Sequence, residues 1–377
     1  MPNPSAEALA ALKAAGLYRS NKTLQQRKGH QAVLQGRPVT LFCSNDYLGL
    51  SQHPDVSAAM QKGVGQWGAG SGAAHLISGH CQPHEELEQV FAEFIGYEAA
   101  LLFSTGYMAN LAAVTTFAGR RDTVLQDKLN HASLLDAAKL AGAKLARYRH
   151  ADIDHAKSKL PAALMASDGV FSMDGDIAPL SALATAAQQA KTPLLIDDAH
   201  GFGVFGPQGR GSVAAAGLGS QEVPLLMCTL GKAAGTFGAV LLGSRADIEL
   251  CRNSARSYIY TTALPPALMA ASLASLKLIQ QGDALRERLQ ANIQQFRQGA
   301  AQLGLALMPS ETAIQPALMP GNENVLAASQ ALLEKGFLVT AIRSPTVAKG
   351  GERLRITLSA DHNADDINRL LQALETL

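Results

Sequence analysis

Short apolar runs alternate with Ala-rich stretches of helical character from about residue 96 to residue 243. The runs are Ala100–Phe103, Thr123–Gln126, Lys144–Tyr148, Ala162–Ala166, Pro193–Ile196, Leu225–Thr229 and Ala239–Gly243. Most are apolar throughout rather than at every second position. That pattern predicts strands buried on both faces of a mostly parallel sheet, with helices covering each side. Seven such runs predict a large α/β domain. In such sheets ligands bind beyond the carboxyl ends of the strands.

The flanks read differently. Residues 6–28 predict a helical arm, with Leu9, Leu12 and Leu17 set among alanines before a basic, polar stretch. A short strand, Val39–Cys43, leads into the turn-rich segment Ser44–Leu50. From about residue 283 a long polar-faced helix, Ala284–Leu303, precedes strands at Ala313–Leu318, Phe337–Ile342 and Leu354–Leu358 and helices at 323–335 and 364–376. The expected division is an N-terminal arm over 1–45, a large domain over 46–282 and a small α+β domain over 283–377.

Composition narrows the function. The 377 residues are 47% hydrophobic and 17% charged, enough to build a sizeable core. Net charge is +1, with no basic cluster to attract nucleic acid or a membrane surface, and aromatics are only 5%. Cys43, Cys81, Cys228 and Cys251 lie far apart with no metal-ligand spacing, which predicts reduced thiols and no structural metal. The first residues lack a basic region followed by an apolar core. No apolar run reaches the ~20 residues of a membrane span. The expected location is the cytoplasm.

Two strand ends carry the chemistry. Asp197, in Asp197-Asp198-Ala199-His200-Gly201, follows the apolar run Pro193–Ile196. Lys232 follows the run Leu225–Thr229. A lysine amine forms a Schiff base with an aldehyde cofactor, and a carboxylate keeps a pyridine nitrogen protonated. That pair is what pyridoxal phosphate chemistry requires. An isolated lysine is ordinarily a surface residue. Here Gly231 before it and Ala233-Ala234-Gly235 after it leave room for a planar group, and Thr229 offers a hydroxyl. Ser104-Thr105-Gly106-Tyr107 opens a helix after a strand, which presents backbone N–H groups to an anion or is simply a capped helix. His131 follows the strand near Val124 as a ring-stacking group or a core histidine. Arg343 follows a C-terminal strand as a carboxylate ligand or a surface ion pair. Gly201–Gly206 matches G-x-G-x-x-G, but Pro207-Gln208-Gly209 follows instead of a helix, so a dinucleotide site is not expected.

Together these segments resemble the α-oxoamine synthases, a branch of the fold type I pyridoxal-phosphate enzymes. The likeness runs from Ser44–Gly49 to Arg353–Leu358 and includes Gly68–His80, Asn130–Leu135, Val170–Asp176, Asp197–Gly201 and Thr229–Lys232. It implies pyridoxal 5′-phosphate as cofactor and a homodimer with active sites at the interface. By the same resemblance Lys232 would carry the cofactor and act as base, Asp197 would pair with the pyridine nitrogen, and His200 would bond the ring 3-oxygen. His131 would stack over the ring and face the substrate. Gly106, Tyr107 and Thr229 would hold the phosphate, and Ser172 would touch the cofactor. Asn45 and Arg343 would hold the amino-acid carboxylate, with Arg19 and Thr346 on the acyl side.

Within the family, Ala313–Pro316 and Thr340–Val347 look most like the members that join L-alanine to a pimeloyl thioester, carried on coenzyme A or on an acyl carrier protein. The alternative is a member using glycine with acetyl- or succinyl-CoA. Three places depart from the usual pattern. Asp168 stands where relatives have glutamate, Ser344 replaces a proline, and Ala233–Phe237 is a variant of a glycine-rich run.

Overall fold

A computed structural model describes residues 4–15 and 17–377. Met1–Asn3 and Gly16, which fall within the expected N-terminal arm, lie outside the described residues. The first described element is the helix Pro4–Ala14. Three short strands follow: β1 (Leu24–Lys28), β2 (Gln31–Leu34) and β3 (Arg37–Leu41). The expected helical arm over 6–28 is therefore corrected at its second half. Lys28 pairs with Gln31 across a tight turn at Gly29, whose φ is 59°, so a hairpin forms there instead of a helix.

The large sheet holds β4 (Ala99–Phe103), β5 (Thr123–Asp127), β6 (Lys144–Tyr148), β7 (Leu164–Asp168), β8 (Leu194–Asp197), β9 (Leu225–Thr229) and β10 (Ala239–Gly243). These are the seven predicted runs. The sheet order is β4-β10-β9-β8-β7-β5-β6. Only β10 runs against its neighbours, so the carboxyl ends of the other six share one edge.

Successive residues of the central strands feed opposite cores, as the strand period of two requires. Leu101, Val124, Leu164, Leu195, Leu225 and Leu241 face one side. Leu102, Leu125, Met165, Ile196, Leu226 and Leu242 face the other. Both cores are buried and covered by helices, which is why most of the runs are apolar throughout.

The C-terminal part contains the helix Asp283–Gln302, then β11 (Ile314–Leu318), β12 (Phe337–Leu338), β13 (Thr340–Ile342) and β14 (Arg353–Thr357). The predicted run Phe337–Ile342 is divided. β12 pairs in parallel with β3, while β13 joins β11 and β14 in an antiparallel sheet of order β11-β14-β13. No helix among the described residues is long and apolar enough to cross a membrane.

Candidate active site

The shared edge of the large sheet forms a cleft. β7 and β8 deliver Asp168 and Asp197, which sit opposite each other in register. β9 delivers Thr229, and the turn after it brings Lys232 to the same cleft. β5 leads to His131 and β4 to Gly106 and Tyr107. His200 and Ser172 complete the lining.

Lys232 is held in a chain of hydrogen bonds. Its Nζ lies 2.7 Å from His200 Nε2, and His200 Nδ1 lies 2.5 Å from the Tyr47 hydroxyl. Burial pulls the Lys232 amine down to about 8; Asp197 and Asp168 oppose that, and Arg355 adds to it. Burial, then the Lys232 charge, holds His200 well below its ordinary range, so it is a neutral imidazole. Burial pushes the Tyr47 phenol up to about 12, so it stays protonated. His131 is also lowered, chiefly by burial, with Lys232 adding to the shift against Asp197.

Asp197 is buried and braced by two donors. Asn110 Nδ2 donates to its Oδ2 at 2.7 Å, and the Ala199 N–H donates to its Oδ1 at 3.1 Å. Asp198 points the other way and accepts from the Ser212 N–H at 2.8 Å and the Ser212 hydroxyl at 2.5 Å. Close packing explains the glycines of the G-x-G-x-x-G look-alike. A Cβ on Gly201 would lie 2.0 Å from Asp198 Oδ1. Gly201 packs on a buried carboxylate, while a Cβ on Gly203 would meet Ala233 Cβ at 2.8 Å and one on Gly206 the Gly211 carbonyl at 2.7 Å.

The helix Gly106–Phe117 points its N-terminus at the cleft. Thr105 caps it by accepting the Met108 N–H at 3.2 Å. Among the described residues the N–H groups of Gly106 and Tyr107 have no partner, so they are available to an anion. Space beside Gly106 is tight, since a Cβ there would lie 3.1 Å from Met227 Cε at the end of its side chain. This donor set fits pyridoxal 5′-phosphate. It supplies a depressed lysine amine, a braced carboxylate, a neutral imidazole beside the lysine and two free amides at a helix N-terminus.

The substrate side differs from the sequence expectation. Arg343 donates to the Tyr18 carbonyl at 3.1 Å and does not line the cleft. Thr346 is exposed, and its N–H caps the same loop on the Arg343 carbonyl at 2.9 Å. Arg19 is exposed on the N-terminal segment. Arg355 on β14 carries a buried guanidinium, only 7% exposed. Its Nε donates to the Ser172 carbonyl at 2.6 Å, its Nη1 to Thr357 Oγ1 at 3.1 Å and its Nη2 to Asn45 Oδ1 at 3.3 Å. No carboxylate among the described residues pairs with it, yet its charge lowers both Lys232 and His200. Two positions earlier on the same strand face, Arg353 grips Asp174. The two arginines therefore hold the Ser172–Asp174 loop between them.

Arg355, Tyr47 and Asn110 were missed as site residues. A signal for the first was present: two arginines at alternate positions of a strand otherwise ending in Ile356-Thr357-Leu358 are costly unless they have buried work to do. Of the departures, Asp168 still reaches the histidine turn, accepting the His131 N–H at 3.1 Å on each oxygen. The Ser344 N–H donates to Asn322 Oδ1 at 3.1 Å.

Known proteins place this geometry. The family described as aminotransferase class I and II matches residues 37–374. The chain is 51% identical over 374 residues to 8-amino-7-oxononanoate synthase of Methylococcus capsulatus, covering 98% of this chain and 97% of that protein. It is 53% identical over 371 residues to 8-amino-7-oxononanoate synthase of Pseudomonas savastanoi, covering 97% and 94%. Among solved structures, serine palmitoyltransferase from S. paucimobilis superposes with a TM-score of 0.93 at 30% identity, covering 99% and 96%. 8-Amino-7-oxononanoate synthase from Francisella tularensis superposes with a TM-score of 0.80 at 32% identity, covering 90% and 97%. The chain belongs to the aminotransferase class I and II family, in its α-oxoamine synthase branch of pyridoxal-phosphate enzymes.

Proposed function

We propose that this enzyme condenses L-alanine with a pimeloyl thioester, releasing CO2 and the free thiol and forming 8-amino-7-oxononanoate for biotin synthesis. The observation that carries the reading is the meeting of Lys232 and Asp197 in one cleft, with the buried Arg355, which no carboxylate among the described residues pairs, near enough for its charge to lower Lys232. The relatives named above support the choice of substrates.

Pyridoxal 5′-phosphate, when bound, supplies an electron sink that stabilises negative charge at the amino-acid Cα. Lys232 would hold it covalently, Asp197 would keep its ring nitrogen charged, and His131 and His200 would contact the ring. Ser172 would border it, while Gly106, Tyr107 and Thr229 would hold its phosphate. Each of the chain's groups has a definite task. Arg355, with Asn45, grips the substrate carboxylate. That grip turns the Cα–H toward Lys232. The Lys232 Nζ takes the Cα proton, and its depressed proton affinity raises the free-amine fraction to about one tenth at pH 7 and about half near pH 8. Asp197, buried and doubly hydrogen-bonded, keeps positive charge nearby through the reaction. Arg19 and Thr346, exposed on the N-terminal segment and the C-terminal loop, line the approach of the acyl carrier.

The active form is a homodimer with the cleft at its interface. Large apolar side chains stand exposed, among them Ile77 (80%), Tyr260 (70%) and Phe237 (51%), and such groups favour a covering partner. The four cysteines are free thiols, which supports a cytoplasmic location.

Two measurements test the reading. Holoenzyme in deuterium oxide should exchange the Cα proton of L-alanine much faster than that of glycine. Only pimeloyl thioesters, among short and long acyl donors, should then release thiol with alanine. Preferential turnover of glycine with acetyl- or succinyl-CoA would overturn it.

A further inference from the structure

The turn that carries His131 is tied to the neighbouring strand from both directions. Asn130 Nδ2 donates to the Ala166 carbonyl at 2.8 Å, and Asn130 Oδ1 accepts the Asp168 N–H at 3.1 Å. The return bond runs from the His131 N–H to the Asp168 carboxylate, 3.1 Å from each oxygen. Asn130 is 5% exposed and Asp168 is 3% exposed, so these bonds form away from solvent, where a lost partner is costly. The clasp joins the loop after β5 to the end of β7, which are adjacent parallel strands.

Among the described residues the His131 ring has one further polar tether, through Ser133, whose Oγ accepts from Asn110 Nδ2 at 2.8 Å. Its Nδ1 bonds only within its own turn, to Ser133 Oγ at 2.8 Å and the Ser133 N–H at 3.3 Å. Tyr107 touches it edge-on with ring centres 6.4 Å apart. The placement of the ring over the cleft therefore depends on where its backbone is anchored. Pivoting a short turn about a lost anchor moves a ring tip by more than the tolerance of a stacked geometry.

We propose that the reciprocal Asn130–Asp168 clasp sets His131 over the cleft, making Asp168 a positioning residue for the reaction. The clasp rests on the proposed role of His131 at the cofactor face. Asp168 touches no reacting atom in this account. It acts through the backbone of residue 131.

The experiment compares Asn130→Ala, Asp168→Ala, the double variant and Asp168→Asn, as holoenzyme for the solution measurements. Four quantities are read: the induced circular dichroism of the bound cofactor, kcat, the KM for alanine, and the His131 position in crystal structures of the cofactor-free proteins. Each alanine variant should lower kcat about tenfold or more, reduce the dichroism and leave the KM for alanine within about threefold. Because the two residues act as one device, the double variant should lose no more than about twice what the worse single loses. Asp168→Asn keeps an oxygen for the His131 N–H and should stay within about threefold of the parent. Its crystal structure serves if the alanine variants fold poorly. The inference is overturned if His131 keeps its place in the Asp168→Ala structure, if the single losses multiply in the double variant, or if Asp168→Asn falls as far as Asp168→Ala. Failure of the underlying reading looks different: the parent protein itself would show no cofactor dichroism.

Discussion

Replacing Arg355 with lysine keeps a cation in the cleft and removes the fork. The structure sets the size of the effect. Arg355 spends Nε on the Ser172 carbonyl, Nη1 on Thr357 and Asn45, and one Nη2 N–H on Asn45, leaving the second Nη2 N–H for a substrate carboxylate unless the Asn45 bonds are given up. A guanidinium presents two N–H groups to a carboxylate in parallel, whereas an ammonium offers a point charge. One charge-assisted bond is therefore lost, worth ~1.5–3 kcal/mol, so alanine binding should weaken about 10- to 150-fold. The position is only 7% exposed, which places the effect toward the upper end because water cannot substitute for the missing donor. The assay is a spectral titration of holoenzyme with alanine, with kcat/KM measured alongside. Arg343→Ala is the matched comparison, since that side chain bonds the Tyr18 carbonyl outside the cleft, and it should bind alanine within about threefold of the parent. Arg355→Lys binding alanine within twofold of the parent would refute the assignment. So would a tenfold loss in Arg343→Ala with Arg355→Lys unaffected.

Three further outcomes are expected. The Lys232 amine of cofactor-free protein should react with an amine-selective acylating reagent along a titration centred near pH 8, because burial lowers it to about 8. At pH 7 about one tenth would be neutral, against ~0.03% for an ordinary lysine; the folded value is the lower one, so its burial costs stability below about pH 8 and that cost is relieved as the pH rises toward 10.5. His150 bridges Asp127 at 3.0 Å and Asp176 at 2.8 Å; burial lowers its pKa, but the two carboxylates outweigh burial and raise it to about 10. The stability it adds is thus complete below about pH 6.5 and lost as the pH rises through about 10, so the melting gap between parent and His150→Gln should narrow over that window. Gly201→Ala should lower the melting temperature clearly, because its Cβ would meet Asp198 Oδ1 at 2.0 Å, while Gly65→Ala, on an open face of the helix Pro54–Trp67, should not lower it.

Much of the architecture was legible because burial on two faces leaves a plain mark. A strand such as Leu225–Thr229 has a core on each side, so its residues are apolar without alternation. Edge elements carry no such mark. Leu24–Lys28 is fully exposed, and its Leu-Gln-Gln-Arg-Lys composition suits a helix as well as a strand. Pairing with Gln31–Leu34 decides the matter, and a pairing partner is not a property of the segment itself. Phe337–Ile342 was divided for a related reason, since one apolar run serves two different sheets.

The candidate site divides along the same line. Lys232, Asp197, His131 and Gly106 each follow an apolar strand, and strands running the same way must release their next residues at one edge. The sequence by itself therefore determined the cofactor chemistry and the edge where it occurs. Which arginine is buried without a carboxylate partner was decided only by the tertiary structure. Arg343 and Arg355 both lie on C-terminal strands or just beyond them, and local sequence favours the one in a loop. The packing of β14 against Asn45 and the Ser172 loop buries Arg355 instead, more than 300 residues from Asn45 along the chain (355 − 45 = 310). Contacts at that separation are set by how the small sheet docks on the large one, and no periodicity or spacing within either segment encodes that docking.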